Sequence, residues 1–480
     1  MKKIIGIFLT LAVAVALWTV PVKADDKPDM IVYSIDLKGA KGDATLVESD
    51  GEFLLMDTGV ADAWDTLDAF LKSKGVTRLS VYVSHFHSDH AGNLKRICES
   101  TYYTVDSVYM PEREQISLAL EDAVANGCAD SAEISSTQGS LNLWDAVANP
   151  KKLEKWGIKE VVVLKKGSTF KIGKAEAEVI GPTKYYLASE FPVDPASLSS
   201  ETQLEHAYNN SSLVTMITAN GVRYLNAGDM EVTEEKAIIK AGVDVRADIF
   251  KMNHHGTDTS NSAAFLKKCK PKYSFSSYYC NAPELKKQNQ IYDKNKLSEL
   301  HVDDKTAKTT VYGYIRTFAN MREADKYGEV FRTQFNGDIT FTVKDGKVSY
   351  DAPTCFKTKG KKTFFYKNGV LQKGAIKGIN ESFYMTDKKG AIKTGLLTYK
   401  GKKYMCTGTH GMARIQEGII KYNGKYYYSW YTPYLATGWR YINEKKYYFD
   451  PDKAYALTGK QTVDGVAHTF TKQGVLQPKG

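Results

Sequence analysis

From Asp29 to Tyr350 the apolar residues fall into short runs that alternate with stretches of helical spacing. Strand-like runs cover Ile31 to Ile35, Ala44 to Glu48, Phe53 to Met56, Ser80 to Val83, Glu160 to Leu164, Ala175 to Ile180 and Leu213 to Thr218. Trp64 to Ser73 and Glu234 to Ala241 carry the helical period. Gly337 to Val343 and Lys347 to Tyr350 flank Lys344-Asp345-Gly346, the signature of a hairpin. This mixed order predicts an α/β sandwich. Two stretches, Glu112 to Leu153 and Lys184 to Glu205, are long and weakly patterned.

After Asp351-Ala352-Pro353-Thr354 the period changes. Gly374, Gly395, Gly418, Gly438, Gly459 and Gly480 recur about every 20 to 23 residues, each after a strand-turn-strand pattern such as Lys445-Lys446-Tyr447-Tyr448-Phe449. One such unit is too small to bury a face alone, so stacked neighbours must supply the core. A solenoid of short β-hairpins is predicted. The chain therefore divides into residues 1–24, a sandwich domain over 25–350, a linker at 351–356 and repeats over 357–480.

The first of these segments is a secretory signal by its pattern. Met1-Lys2-Lys3 is basic, Ile4 to Trp18 is an apolar run, and Val22-Lys23-Ala24 ends in a small residue before Asp25. No second long apolar run follows, so a secreted protein without a membrane span is expected. The six cysteines show no CxxC spacing, and disulfides such as Cys98 with Cys128 or Cys269 with Cys280 are left open. Charge is uneven. From Lys357 onward 23 basic and 7 acidic side chains give +16; the whole chain is +10, so the remainder sums to −6. A basic tail on a mildly acidic domain points to an anionic partner, or to a merely solvated basic surface.

Chemistry concentrates in Ser84-His85-Phe86-His87-Ser88-Asp89-His90, directly after an apolar strand-like run. Imidazole and carboxylate are the usual ligands of a catalytic divalent ion. Alternating side chains on extended backbone let His85 and His87 converge on one metal. Asp89 and His90 follow and can reach a second. Five of the nine histidines lie in this string and in Asn253-His254-His255, which random placement would seldom produce.

This string resembles the signature of the metallo-β-lactamase-fold hydrolases. So do Leu54-Leu55-Met56-Asp57-Thr58-Gly59, Tyr224-Leu225-Asn226-Ala227-Gly228-Asp229 and Phe250-Lys251-Met252-Asn253-His254-His255-Gly256, in the same order. The resemblance implies an αβ/βα sandwich with two divalent ions, zinc by preference. His85 and His87 would hold the first ion. Asp89, His90 and one of His254 and His255 would hold the second, with Asp229 bridging. Asp57 would orient a ligand from behind. On an extended strand only one of His254 and His255 can face the metals, and the sequence leaves the choice open. Many relatives place a further metal histidine before the bridging Asp. Here that interval holds only His206, and Asn209-Asn210-Ser211-Ser212-Leu213-Val214 resembles instead the branch of competence-protein hydrolase domains and phosphorylcholine esterases. Asn209 and Ser212 either line the site or make structural contacts. The two weakly patterned stretches either shape the substrate mouth, as in many relatives, or decorate the surface.

The repeats resemble the choline-binding, or cell-wall-binding, repeats of Gram-positive surface proteins. In these a Trp after the closing Gly helps cage a quaternary ammonium. Only Gly438-Trp439 keeps it. A cage is buildable around Trp439, Trp430, Tyr427 and Tyr448; otherwise these rings are hairpin core. The combined resemblance implies a secreted, wall-associated dimetal phosphodiesterase. Two such ions would lower the pKa of a bound water to give hydroxide near neutral pH. Asp89 and His254 or His255 would then handle protons. Its target would be phosphorylcholine or another phosphodiester of teichoic acid or related anionic polymer. A competence-type nuclease acting on nucleic acid, another ester hydrolase, and a non-enzymatic wall-binding protein are the alternatives. A β-lactamase is disfavoured by His90 directly after Asp89.

Overall fold

The computed structural model describes residues 27–480 apart from 40–41, 193–201, 258, 278–322, 378–382, 409, 411–412, 414–415, 433, 443–444 and 479–480. The expected signal segment, Cys280 and the side chain of Trp430 lie outside the described residues. The chain forms β1 (Met30–Ser34), β2 (Thr45–Ser49), β3 (Glu52–Met56), β4 (Arg78–Tyr82), β5 (Thr104–Pro111) and β6 (Glu160–Leu164). A second group follows: β7 (Thr169–Ile172), β8 (Ala175–Gly181), β9 (Val214–Ala219), β10 (Val222–Asn226), β11 (Ile249–Lys251), β12 (Tyr273–Ser276) and β13 (Glu329–Arg332). Then β14 (Ile339–Lys344) and β15 (Lys347–Asp351) return to the first sheet. The two sheets run β15-β14-β1-β2-β3-β4-β5-β6 and β13-β12-β11-β10-β9-β8-β7.

Strands with successive apolar residues have two buried faces. In β3, Leu54 and Met56 enter the core between the sheets, while Leu55 joins the core under the helices. In β10, Tyr224 faces between the sheets and Leu225 faces a third core on the far side. Helix Trp64–Ser73 buries Leu67, Phe70 and Leu71, one stripe of an amphipathic helix, against the first sheet. The layers are thus helix, sheet, sheet, helix.

The stretch after β5 is helical, as Glu114–Asn126, Ser131–Val147 and Pro150–Trp156. Its apolar period is faint because the middle helix fully buries only Thr137, Leu141 and Val147. Its start is fixed by polar chemistry instead: Asp130 accepts from Ala132 and Glu133 N–H, and Glu133 returns a bond to Asp130 N–H.

Beyond β15 come antiparallel pairs: Cys355–Lys359 with Lys362–Lys367, Gly395–Tyr399 with Lys402–Cys406, Gln416–Tyr422 with Lys425–Thr432, Gly438–Ile442 with Lys445–Phe449, and Gly459–Val463 with Val466–Phe470. Single bridges such as Tyr427 to Tyr455 and Tyr447 to Val475 tie hairpins to later chain. Their cores are small and local, for example Tyr428, Ile442, Tyr447, Phe449 and Ala456. Residues 351–356 are packed: Ala352 and Cys355 are buried with the inter-sheet core, and Asn336 Nδ2 donates to Thr354 O at 2.7 Å. Cys98, Cys128, Cys269, Cys355 and Cys406 are all free thiols. Among the described residues no helix is long and apolar enough to cross a membrane.

Candidate metal centre

Parallel pairing of β3 with β4, and of β10 with β11, brings four strand ends to one edge of the sandwich. Such carboxyl ends are where open α/β sheets place their ligands. Asp57 follows β3, His85 follows β4, Asp229 follows β10, and His254 and His255 follow β11. Leu213 N–H donates to Ser84 O at 3.0 Å and joins the two sheets at this edge.

Five imidazoles form an unbroken string. Ring centroids are 4.7 Å apart for His87 and His85, 4.2 Å for His85 and His90, 5.2 Å for His90 and His255, and 5.7 Å for His255 and His254. Asp229 Oδ2 is their common acceptor side: His90 Nε2 lies 3.0 Å away, His255 Nε2 3.2 Å and His254 Nε2 3.7 Å. Asp89 Oδ2 is 3.2 Å from His255 Nε2. Asp43, His90, Asp229 and His255 offer donor atoms all within 4.8 Å of one another. His85 Nε2 and His87 Nδ1 sit 3.0 Å apart beside this cluster.

Behind the string stand orienting contacts. Asp57 accepts from Ser84 N–H and Ser84 Oγ, both at 2.8 Å, and lies 2.9 Å from His90 Nδ1. Such a bond fixes the ring and leaves Nε2 for the site. Tyr208 wedges against His85 and His87, with centroids at 5.5 and 4.4 Å. Gln115 Nε2, from the weakly patterned stretch, donates to Ser84 O at 3.1 Å and Ser211 O at 2.7 Å. Ser140 Oγ donates to Phe86 O at 2.7 Å. That stretch therefore buttresses the histidine loop.

Asn209 Nδ2 donates to Glu231 Oε1 at 3.1 Å, and Ser212 Oγ accepts from Asp229 N–H at 3.2 Å. His206 pairs with Glu231 at 2.8 Å, and Glu231 stands between it and His254. His254 and His255 do not lie on an extended strand. Both adopt left-handed backbone, φ 46° and 54°, in a tight turn after β11. Consecutive non-glycine residues in this region are costly and mark a constrained site. The turn lets both rings approach Asp229, which strand alternation would forbid. His255 also nears Asp89, whereas His254 Nδ1 bonds Thr259 Oγ1 at 2.8 Å and lies 3.6 Å from Glu231.

Two residues escaped the sequence reading. Asp43 is buried, faces His255 Nδ1 at 3.2 Å, and is held by Lys251 and Ser277. Lys251 is buried, donates to Gly228 O at 2.8 Å and lies 3.6 Å from Asp229 Oδ1. The signal was present: a lysine inside the apolar run Ile249-Phe250-Lys251-Met252 must have a buried anionic partner. Gly42 delivers Asp43. At φ +114° its backbone presses on the histidine loop, where an added Cβ would stand 2.2 Å from Asp89 O.

The electrostatics suit cations. Burial disfavours a charged His90, yet Asp229 and Asp57 outweigh it and lift the imidazolium to about 10. Burial likewise opposes ionised Asp229, but His255, His90 and His254 hold it well below the usual carboxylate range. Burial and the neighbouring His90 and His87 push His85 down, leaving it neutral, the state a metal ligand needs. His90 Nε2 and Asp229 Oδ1 are buried and, beyond the ion-pair approaches to Asp229 Oδ2 and to Lys251, make no hydrogen bond among the described residues. Buried polar atoms are rarely left so. The donor set and these atoms fit divalent ions at the Asp229 side. Asp43, already matched to Lys251, serves to orient.

The family model of the metallo-β-lactamase superfamily matches residues 38–159, the span that holds the histidine string. That match lies within the two-sheet sandwich. Domains of this superfamily are typically metal-dependent hydrolases. The chain is 29% identical over 109 residues to ComE operon protein 3 of Bacillus subtilis, covering 23% of this chain and 12% of that protein. It thus spans a small part of that curated relative. The metallo-β-lactamase fold protein YhfI from Bacillus subtilis is 11% identical, with TM-score 0.30, over 55% of this chain and 92% of that one. Choline binding protein F from Streptococcus pneumoniae, in the presence of a peptidoglycan analogue, is 17% identical. Its TM-score is 0.19 over 29% of this chain and 56% of its own. The sandwich that carries the superfamily match is followed here by short antiparallel hairpins.

In the hairpin region, Trp439 packs edge-on to Tyr448, with centroids 5.0 Å apart, and to His468 at 5.2 Å. Tyr427 is buried with Met405, Leu435 and Ala454. Tyr427 and Trp439 are thus placed in separate clusters.

Proposed function

We propose that this protein is a secreted, wall-associated phosphodiesterase that cleaves phosphorylcholine or a related phosphodiester of a cell-surface polymer. The hydrolase would occupy residues 25–350 and the wall-binding repeats 357–480. The reading resembles the teichoic acid phosphorylcholine esterase of Gram-positive surfaces, which has the same domain order. The observation that carries it is the string of five imidazoles, three of which converge on Asp229.

His85 and His87 would hold one divalent ion, Asp89, His90 and His255 the second, with Asp229 between them; zinc is the ion this donor set favours. Bound there, such a pair acidifies a water and neutralises charge on a phosphoryl oxygen. The protein's own groups do the rest. Asp89, about a quarter exposed at its side chain, would accept the proton of the attacking water. His254, with Thr259 on one nitrogen and Asp229 near the other, would assist the leaving oxygen. Asp57 and Asp43 keep His90 and His255 in register.

Turnover of p-nitrophenyl phosphorylcholine by zinc-loaded protein, against a chelated control, tests this. Metal-dependent nitrophenol release is expected. Two bound ions with no release would sink it. A match to Competence protein ComA of Neisseria gonorrhoeae, 34% identical over 76 residues, fits a second reading, a nuclease with the same centre. Plasmid cleavage without phosphorylcholine ester turnover would select it.

A further inference from the structure

We propose that the repeats form a lysine-capped aromatic surface that binds a linear polyol-phosphate polymer through its phosphodiesters, with Lys446 closing the Trp439 ring to quaternary ammonium ligands. The choice of a polyol phosphate rests on the phosphodiesterase reading above; the surface itself rests on separate observations.

Trp439 is the position where a cage would form. Tyr448 and His468 stand as its walls, but Lys446 Nζ lies over the indole, 4.4 Å from its centroid, and 5.5 Å from the ring of Tyr441. The chain's own ammonium already makes the cation–π contact that a choline headgroup would seek. A second cation there meets like-charge repulsion. The same cap recurs elsewhere in the repeats. Lys402 Nζ is 3.7 Å from the Tyr434 centroid, Lys425 is 4.8 Å from that of Tyr455, and Lys400 is 5.4 Å from that of Tyr399.

These lysines are short of carboxylate partners. Among the described residues, the one ion pair made by a repeat lysine joins Lys357 to Asp351. Three of the described acidic side chains nearby are otherwise engaged. Asp387 accepts from Lys389 and Ala391 N–H at 2.8 and 2.9 Å, and Asp450 accepts from Asp452 and Lys453 N–H at 2.9 and 2.8 Å. Asp464 accepts from the Trp439 indole N–H at 3.2 Å and is the carboxylate that faces this cage. With a regional charge of +16, the surface lacks anions, not cations. A phosphodiester every few ångströms along a flexible chain matches ammonium groups repeated along stacked hairpins.

The test uses the full chain on immobilised poly(glycerol phosphate), with choline-agarose and single-stranded DNA of equal phosphate content alongside. Retention on the polymer is expected at low salt. It should weaken about tenfold or more as salt rises from 0.1 to 0.4 M, and free choline should not elute it. Lys446→Gln with Lys402→Gln should weaken binding by about two- to fivefold per lysine, and Lys446→Gln should increase retention on choline-agarose. An unshifted calorimetric transition of the repeats shows that the variants are folded. Elution by choline at low salt, unchanged binding in the double variant, or equal retention on DNA would each overturn the proposal. Binding without turnover supports the surface and removes the catalytic reading; turnover without binding overturns the surface.

Discussion

The sandwich and the repeats handle charge in opposite ways. At the metal centre, Asp43, Asp57 and Asp229 are buried beside Lys251 and His90, with each charge answered within a few ångströms. In the repeats, lysines stay at the surface and rest on aromatic rings. Burial makes the difference. An unmatched charge inside the sandwich would cost several kcal/mol, so the fold must bring partners together from distant sequence. On the hairpins water solvates the ammonium groups, so the charge can remain unmatched and available to a ligand. The contacts follow the same division: Lys251 meets Asp43 across 208 positions of sequence, whereas each hairpin pairs neighbours.

The comparison can be broken in four places. The largest effect belongs to Asp229→Ala. It removes the common acceptor of three imidazoles, so bound metal falls below full stoichiometry and ester turnover drops by more than about a hundredfold, beyond what loss of an orienting contact gives. Full metal in this variant, and in His87→Ala, would refute the ligand assignments. Next comes Lys251→Met, which leaves Asp43 buried without its cation. Urea unfolding of the sandwich should lose about 3–5 kcal/mol; a neutral result would mean that the buried charges are not interdependent.

Phe449→Ala empties a fully buried position in a repeat, at about 3 kcal/mol. The loss should stay in the hairpins, because repeats contact only their neighbours. Calorimetry should show one transition shifted, with turnover on a small ester unchanged. A shift of both transitions would mean the two regions unfold together. The smallest effect is Gly42→Ala, at about 1–3 kcal/mol, because its Cβ must displace the Asp89 carbonyl. Turnover should fall further than stability does, since Asp89 moves.

Much of this was legible along the chain. The HxHxDH string after an apolar run, the alternation that makes β3 and β10 two-faced, and the change of period after β15 are local patterns. Local patterns survive in sequence because side-chain direction on a strand or hairpin depends on immediate neighbours. The charge contrast between the two regions was legible for the same reason, since counting needs no coordinates.

Other features existed only in three dimensions. Helices Glu114–Asn126 and Ser131–Val147 have faint periodicity, and their part in holding the histidine loop rests on Gln115 and Ser140, which no spacing marks. The roles of His254 and His255 turn on a left-handed backbone that strand reasoning does not admit. Asp43 and Lys251 acquire their roles from each other. The cap of Lys446 on Trp439 converts an apparent cage into its opposite. Each of these depends on which charge or ring stands opposite, and that is decided by how the sheets, turns and hairpins pack, because electrostatic and cation–π terms fall off within a few ångströms.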